Sequence, residues 1–363
     1  MKITFVMPQP DMSGGNRVIA VYAQRLKKRG HEVCMVCAGP RPLPFRHCVK
    51  SFALGRGWPR IPLMRPSHFD RLDIACTRLK KFRPIVDSDV PDGDVVVATW
   101  WETAEWVAGL SPSKGAKAYF MQDYGGAGQP IDKVRQTWRL PLHIITISNW
   151  LCDLVLETRN TEVIVVPNSV DLDVFDLPPR NKPVRSTVGF LYTPLPQKGA
   201  DICIKAVDLA RARIPNLRVV AFGSRPATDE LPLPEGTEFA CRLPDGQLKS
   251  IYGVCTAWLF GTRREGFGLP ILEAMACRTP VIGTPAGASP ELLSKGGGIL
   301  VKPEDAQDMA RAIERVHSLS DAEWRAMSDL AYATATGYTW QDATDAFERA
   351  LNEAIERTKH KTE

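Results

Sequence analysis

The sequence predicts an α/β protein built from two doubly wound parallel sheets. Three observations lead there. Short apolar runs alternate with helix-period stretches through the first half of the chain. After a proline-bearing interruption at 176–182, with Pro178 and Pro179, the same alternation restarts. The length of 363 residues suits two domains. In order, residues 3–7 read as a first strand that stops at Pro8. Gly14-Gly15-Asn16 follows, and residues 17–29 carry Val18, Val21, Tyr22 and Leu26 at helical spacing, closed by Gly30. Residues 33–36, 94–98, 118–121, 144–147 and 163–166 continue as strands, separated by helical patterns such as 150–157. Strands this uniformly apolar belong to a sheet covered on both faces. Beyond the linker come strands at 187–191, 217–222, 257–260 and 280–283, with helices at 201–213, 245–254 and 271–276. From Trp340 the tail is helical, with Ala343, Phe347, Leu351 and Ile355 apolar. The expected organisation is a first domain over 1–177, a second over 183–340, and a helix over 341–363 returning to the first. Ligands of such sheets bind beyond the carboxyl ends of the strands, so two halves predict a cleft between them.

Composition narrows the class. Hydrophobic residues make up 44% and charged residues 24%, as in ordinary globular proteins. No apolar run approaches the ~20 residues of a membrane span. The first apolar run is too short for a secretion signal, so a cytoplasmic protein is expected. Its nine cysteines, several within apolar runs (Cys34, Cys203, Cys255), read as reduced buried thiols. Cys34-x-x-Cys37 is a close pair inside a strand-like run, which favours packing over zinc or redox chemistry. The net charge of +5 is unevenly spread: 41–83 carries eleven Lys and Arg against Asp70 and Asp73. Phe45, Phe52, Trp58, Leu63, Met64 and Phe69 are interleaved with them. Such a stretch is either a solvated basic face or a dock for an anionic membrane or acidic acceptor. No recognition motif for nucleic acid accompanies the charge, so nucleic acid is not an expected partner.

The densest chemical signal is Glu265-Gly266-Phe267-Gly268-Leu269-Pro270-Ile271-Leu272-Glu273. Two carboxylates flank a Gly-aromatic-Gly turn that opens a helix. Glycines let backbone N–H groups approach a ligand closely, and Pro270 suits the start of a helix. The helix N-terminus adds free donors and a positive dipole end. Glu273 falls about one turn in and leans back toward that terminus. On spacing alone this is either a phosphate- and hydroxyl-binding site or a capped structural turn.

Further motifs fall around it in a characteristic order. They are Gly14-Gly15 after the first strand, Gly30-His31-Glu32-Val33, Ser148-Asn149-Trp150, Val166-Pro167-Asn168-Ser169-Val170-Asp171 with Phe175, Lys198-Gly199, and the two glutamates. In these residues the chain resembles the retaining glycosyltransferases of the GT-B fold, family 4, over nearly its full length. The resemblance implies a nucleotide-diphosphate-sugar donor, bound as substrate with no cofactor, on the second domain. Glu265 would hold sugar hydroxyls, the Gly266, Phe267, Gly268 and Leu269 backbone the sugar and diphosphate, and Glu273 the ribose. Lys198 would neutralise the diphosphate, and Gly14 and Gly15 would offer N–H groups to phosphates or acceptor. The implied reaction is retaining and metal-independent, with the leaving phosphate taking the acceptor proton.

The chain departs from the family at two points. The arginine usual before the lysine is missing from 189–198, leaving Arg225 or Arg263 to replace it. Where the family often has histidine after the 118–121 strand, this chain has Gln122-Asp123-Tyr124, so Asp123 or Gln122 would meet the sugar or acceptor. With Thr99-Trp100-Trp101-Glu102, this resembles a bacterial subgroup acting on cell-surface polysaccharides, rhamnosyltransferases among them. The two tryptophans would stack on acceptor sugars or pack in the core. Asp-x-Asp occurs at 87–89, 92–94 and 171–173, in loop and linker positions that do not suggest metal. The implied acceptor is a glycan or lipid-linked glycan, met at the inner face of the cytoplasmic membrane with peripheral contact through 41–83. A phosphorylase or synthase of the same fold on a small soluble sugar, or a non-catalytic nucleotide-sugar-binding protein, are the alternatives.

Overall fold

The computed structural model describes residues 1–59, 66–125, 129–158, 162–243 and 245–360. It divides into two units. One is Met1–Ile147 with Leu151–Val166 and Thr344–Glu363; the other is Ser148–Trp150 with Pro167–Ala343. The proline-bearing segment at 176–182 therefore lies inside the second unit. The returning helix joins the first unit from Thr344 onward.

The first unit starts with β1 (Lys2–Met7), α1 (Gly14–Lys28), β2 (Glu32–Cys37), α2 (Phe45–Ala53) and β3 (Ala75–Arg78). It continues with β4 (Val95–Ala98), α3 (Trp101–Ala108), β5 (Ala116–Met121), α4 (Ile131–Thr137), β6 (His143–Thr146), α5 (Asn149–Leu156), whose first residues belong to the second unit, and β7 (Ile164–Val165). Its seven strands run parallel in the order β3-β2-β1-β4-β5-β6-β7. The register sets Ile3 against both Val33 and Val95. Inner strands β4 and β5 are almost wholly buried, as expected of a sheet with helices on both faces. The order reverses beside β1, so the loops after β1 and β4 flank the switch point where such sheets hold ligands.

Within 41–83 the described residues include α2 and the outer strand β3. Arg60, Leu63, Met64 and Arg65 of this stretch lie outside the described residues. β3 escapes sequence reading because an edge strand alternates exposed and half-buried positions over only four residues. The last helix (Trp340–His360) seats Phe347 on the first unit. Its ring stacks on Tyr22 at 4.4 Å and meets Phe120 edge-on at 5.0 Å. Arg29 and His31 both reach Glu348, at 2.6 and 2.8 Å.

The second unit holds α6 (Leu172–Phe175), β8 (Thr187–Leu191), α7 (Ala200–Arg211), β9 (Arg218–Gly223), β10 (Glu238–Cys241), α8 (Asp245–Gly253) and β11 (Ala257–Phe260). After these come α9 (Leu269–Ala276), β12 (Val281–Gly283), α10 (Ser289–Leu293), β13 (Gly298–Leu300), α11 (Ala306–Ser318) and α12 (Asp321–Thr336). The last helix, Trp340–His360, is α13. Six parallel strands run β10-β9-β8-β11-β12-β13. Here the switch point lies between β8 and β11, and the loops after them carry Lys198 and Glu265. Among the described residues, no helix is long and apolar enough to cross a membrane.

Candidate active site

After β8 the chain makes a short turn over Pro196–Lys198 and enters α7 through Gly199, whose φ is +62°. A side chain there would meet the Gly261 carbonyl oxygen at 1.8 Å. The turn is therefore pressed against the loop after β11, and polar groups hold it there. The Gln197 carbonyl accepts the N–H groups of Arg263 and Arg264, at 3.0 and 3.2 Å. Arg263 grips Asp201 with both Nη atoms at 2.8 Å, Glu304 with Nε and Nη2 at 2.6 and 2.9 Å, and the Pro196 carbonyl at 2.6 Å. All the guanidinium donors are thereby occupied. The outcome is that Lys198 Nζ stands 2.6 Å from Glu265 Oε2, both half-buried. Residues 67 apart in sequence thus become a charge pair at the switch point.

The glycine turn follows Glu265 directly. The Gly266 carbonyl accepts Ser148 Oγ at 3.1 Å and Trp150 Nε1 at 2.8 Å. In a trans peptide the N–H points opposite to the C=O, so these two donors aim the Phe267 N–H away from themselves. Phe267 itself is buried, and its carbonyl accepts the Ala288 N–H at 2.9 Å. Gly268, at φ +101°, is the N-terminal cap of α9, a conformation that glycine adopts without strain. Among the described residues, no protein group accepts from the N–H of Gly266, Phe267 or Gly268. A row of unused donors thus meets a helix N-terminus beside a lysine, an arrangement that attracts anions. Leu269 and Pro270 form the first two positions of α9, one residue earlier than proline suggested.

Glu273 lies in α9 and is only 4% exposed. Tyr252 of α8 donates to its Oε2 at 2.8 Å. A buried carboxylate needs such partners, and no local pattern in the sequence points to Tyr252. It also marked Ser148 and Trp150 only as a helix start, whereas both side chains hold Gly266. A serine before a helix signals capping; nothing local signals a carbonyl 118 residues away.

The two arginine candidates separate. Arg263 is fully engaged in the clamp, which removes it as the replacement for the missing diphosphate arginine. Arg225, just beyond β9, is exposed and makes no hydrogen bond or ion pair among the described residues. Gly14, Gly15 and Asp123 belong to the first unit. Gly14 opens α1, and the Gly15 carbonyl accepts Gln122 Nε2 at 3.2 Å. Asp123 Oδ1 accepts the Tyr124 N–H at 2.7 Å. Five of the six Asp-x-Asp carboxylates have protein partners. Asp89 pairs with Arg83, Asp92 with Lys114, Asp87 with the Ser111 N–H, Asp94 with the Lys2 N–H, and Asp171 caps α6.

Residues 12–174 match glycosyltransferase family 4, and residues 181–333 match the glycosyl transferases group 1. Both halves of the chain are thus similar to glycosyltransferases. Among curated relatives, D-inositol 3-phosphate glycosyltransferase of Mycobacterium marinum is 28% identical over 213 residues, covering 53% of this chain and 45% of that one. O-antigen chain mannosyltransferase B of Escherichia coli is 32% identical over 103 residues, 28% of this chain and 26% of that one. The chain spans about half the length or less of these relatives. The fold is GT-B. A structure of Anabaena Alr3699/HepE in complex with UDP and glucose superposes with a TM-score of 0.71 at 16% identity, covering 97% of this chain and 99% of that one. Within this fold, the pair Lys198–Glu265 and the buried Glu273 occupy the loop after β8 and the segment after β11.

Proposed function

We propose that this protein transfers a sugar from a nucleotide-diphosphate donor to a glycan or lipid-linked acceptor, with retention of configuration and no resident metal or cofactor. The observation that carries this is the Lys198–Glu265 pair beside the unused N–H groups of Gly266–Gly268. When the sugar–phosphate bond breaks, charge builds on the departing diphosphate. Lys198 and the N–H row are preorganised to meet it, which is the role that a cation plays elsewhere. Glu265 is an acceptor for sugar hydroxyls once the lysine turns to phosphate. Arg225, exposed and without an ion pair among the described residues, would share the diphosphate. The new glycosidic bond forms on the face from which the phosphate leaves, and the acceptor's proton passes to a phosphate oxygen. The relatives acting on O-antigen and on inositol phosphate support a polyhydroxylated acceptor of this kind.

The test is a thermal-shift screen of UDP-, GDP-, ADP- and dTDP-sugars, followed by transfer assays with and without EDTA. A donor at a hundredfold its Kd stabilises by about 2.7 kcal/mol. Binding without turnover on any acceptor would leave a nucleotide-sugar-binding protein instead. Glu273→Ala is expected to weaken donor-nucleotide binding about 10–100-fold, the loss of charge-assisted hydrogen bonds worth ~1.5–3 kcal/mol. Calorimetry checks this, and an unchanged Kd would remove Glu273 from the site.

The same proposal extends to an anionic membrane surface. On and after α2, Phe45, Phe52 and Trp58 are 73%, 67% and 58% exposed. Arg46, Lys50 and Arg56 around them are exposed too. Apolar side chains beside cations fit an anionic headgroup layer, where each Lys or Arg contributes about 1 kcal/mol. Phosphatidylglycerol vesicles are expected to sediment the protein at low salt, and phosphatidylcholine vesicles are not. Phe52→Ser with Trp58→Ser is expected to release it. Equal binding to both lipids would count against this surface.

A further inference from the structure

Cys34 and Cys37 stand three apart on a strand, and residues at that spacing face opposite sides. The structure separates them. Cys34 Sγ lies 3.1 Å from Thr4 Oγ1 on β1, whereas Cys37 Sγ lies 3.7 Å from Cys76 Sγ on β3. The register sets Cys76 against Met35, two residues before Cys37, so the two sulfurs share one face of the sheet. β3 is the outer strand; Cys37 is buried and Cys76 half-buried. The Cys37 thiol and the Arg78 guanidinium both stabilise a Cys76 thiolate and lower its pKa. The same contact and burial push the Cys37 thiol up. Arg78 is itself fixed, with Nη2 on Asp70 Oδ1 at 2.7 Å. The low-pKa thiol is thus the reachable one, and a second sulfur waits behind it.

We propose that Cys37 and Cys76 form a hydroperoxide-responsive dithiol that closes reversibly to a disulfide. The Cys76 thiolate attacks the terminal oxygen of a hydroperoxide. A sulfur–oxygen bond forms, the oxygen–oxygen bond breaks, and an alcohol or water leaves after taking up a proton. Cys37 sulfur then attacks the Cys76 sulfenic acid. The disulfide forms, and hydroxide departs with the Cys37 proton as water. Two thiols lose two electrons and the peroxide gains them. A small-molecule thiol reverses the bond by exchange.

The experiment treats the full chain with a few equivalents of hydrogen peroxide, alkylates the remaining thiols and maps peptides by mass spectrometry. Expected is a link between Cys37 and Cys76 that dithiothreitol removes. It persists in Cys34→Ser and is absent from Cys37→Ser and Cys76→Ser. In Cys37→Ser, dimedone is expected to trap Cys76 as its sulfenic acid. Without oxidant, iodoacetamide is expected to modify Cys76 faster than the exposed Cys241 near neutral pH. A wild-type chain that shows no Cys37–Cys76 link, or whose link joins Cys34 instead, overturns the proposal.

Discussion

Lys198→Ala is expected to lower sugar transfer by about 10²–10³-fold, the usual cost of removing one preorganised group from developing negative charge. The effect should fall on kcat more than on KM, because the diphosphate gains charge in the transition state. Stability should change by only about 1 kcal/mol or less, since the Lys198–Glu265 pair is partly solvated and the orphaned carboxylate can be hydrated. Steady-state kinetics with a donor found by thermal shift, beside an unchanged melting curve, checks both halves. A kcat within about twofold of wild type would separate Lys198 from the chemistry. Glu265→Ala is expected to abolish transfer through the sugar side of the same pair.

Gly199→Ala is expected to destabilise the second unit by more than about 4 kcal/mol, the range of exceptional substitutions. A left-handed backbone alone costs a non-glycine residue about 1–2 kcal/mol. The rest comes from the methyl group, which would stand 1.8 Å from the Gly261 carbonyl oxygen and force apart the loops after β8 and β11. Donor binding should disappear with it, because the same contact carries Lys198 to Glu265. Gly30→Ala supplies the comparison: φ is +88°, and nothing lies within 4 Å of the added carbon. It should show only the backbone cost. Equal denaturant midpoints for the two variants would show that the loop contact contributes little.

The alternation of apolar strands and helices gave both sheets: the expected strands are the inner strands of each, together with the outer strand β7. β3, β10 and β13 were missed for a common reason. They are short outer strands, partly exposed, and their stability comes from pairing with a neighbour rather than from their own apolar content. At the site, the glycine turn forms where the local pattern set it and α9 starts at Leu269, one residue ahead of Pro270, because glycine conformation and helix capping act over a few residues. The Arg263 clamp did not announce itself. Asp201 and Glu304 lie 62 and 41 residues away, and nothing in either neighbourhood distinguishes a clamp from a surface charge.

The two α/β halves, a glycine turn opening a helix near Pro270, and the candidates Lys198, Glu265 and Glu273 were legible in the sequence, through interactions of short range or through their order along the chain. Which groups meet depends on the tertiary fold. It joined Lys198 to Glu265, placed Ser148 and Trp150 on the Gly266 carbonyl, gave Glu273 to Tyr252, engaged Arg263 with Asp201 and Glu304, and set Cys37 beside Cys76. The reason is that hydrogen bonds and ion pairs act over about 3 Å. The chain brings distant residues within that reach only after strand order and register have been fixed by burial of the sheets.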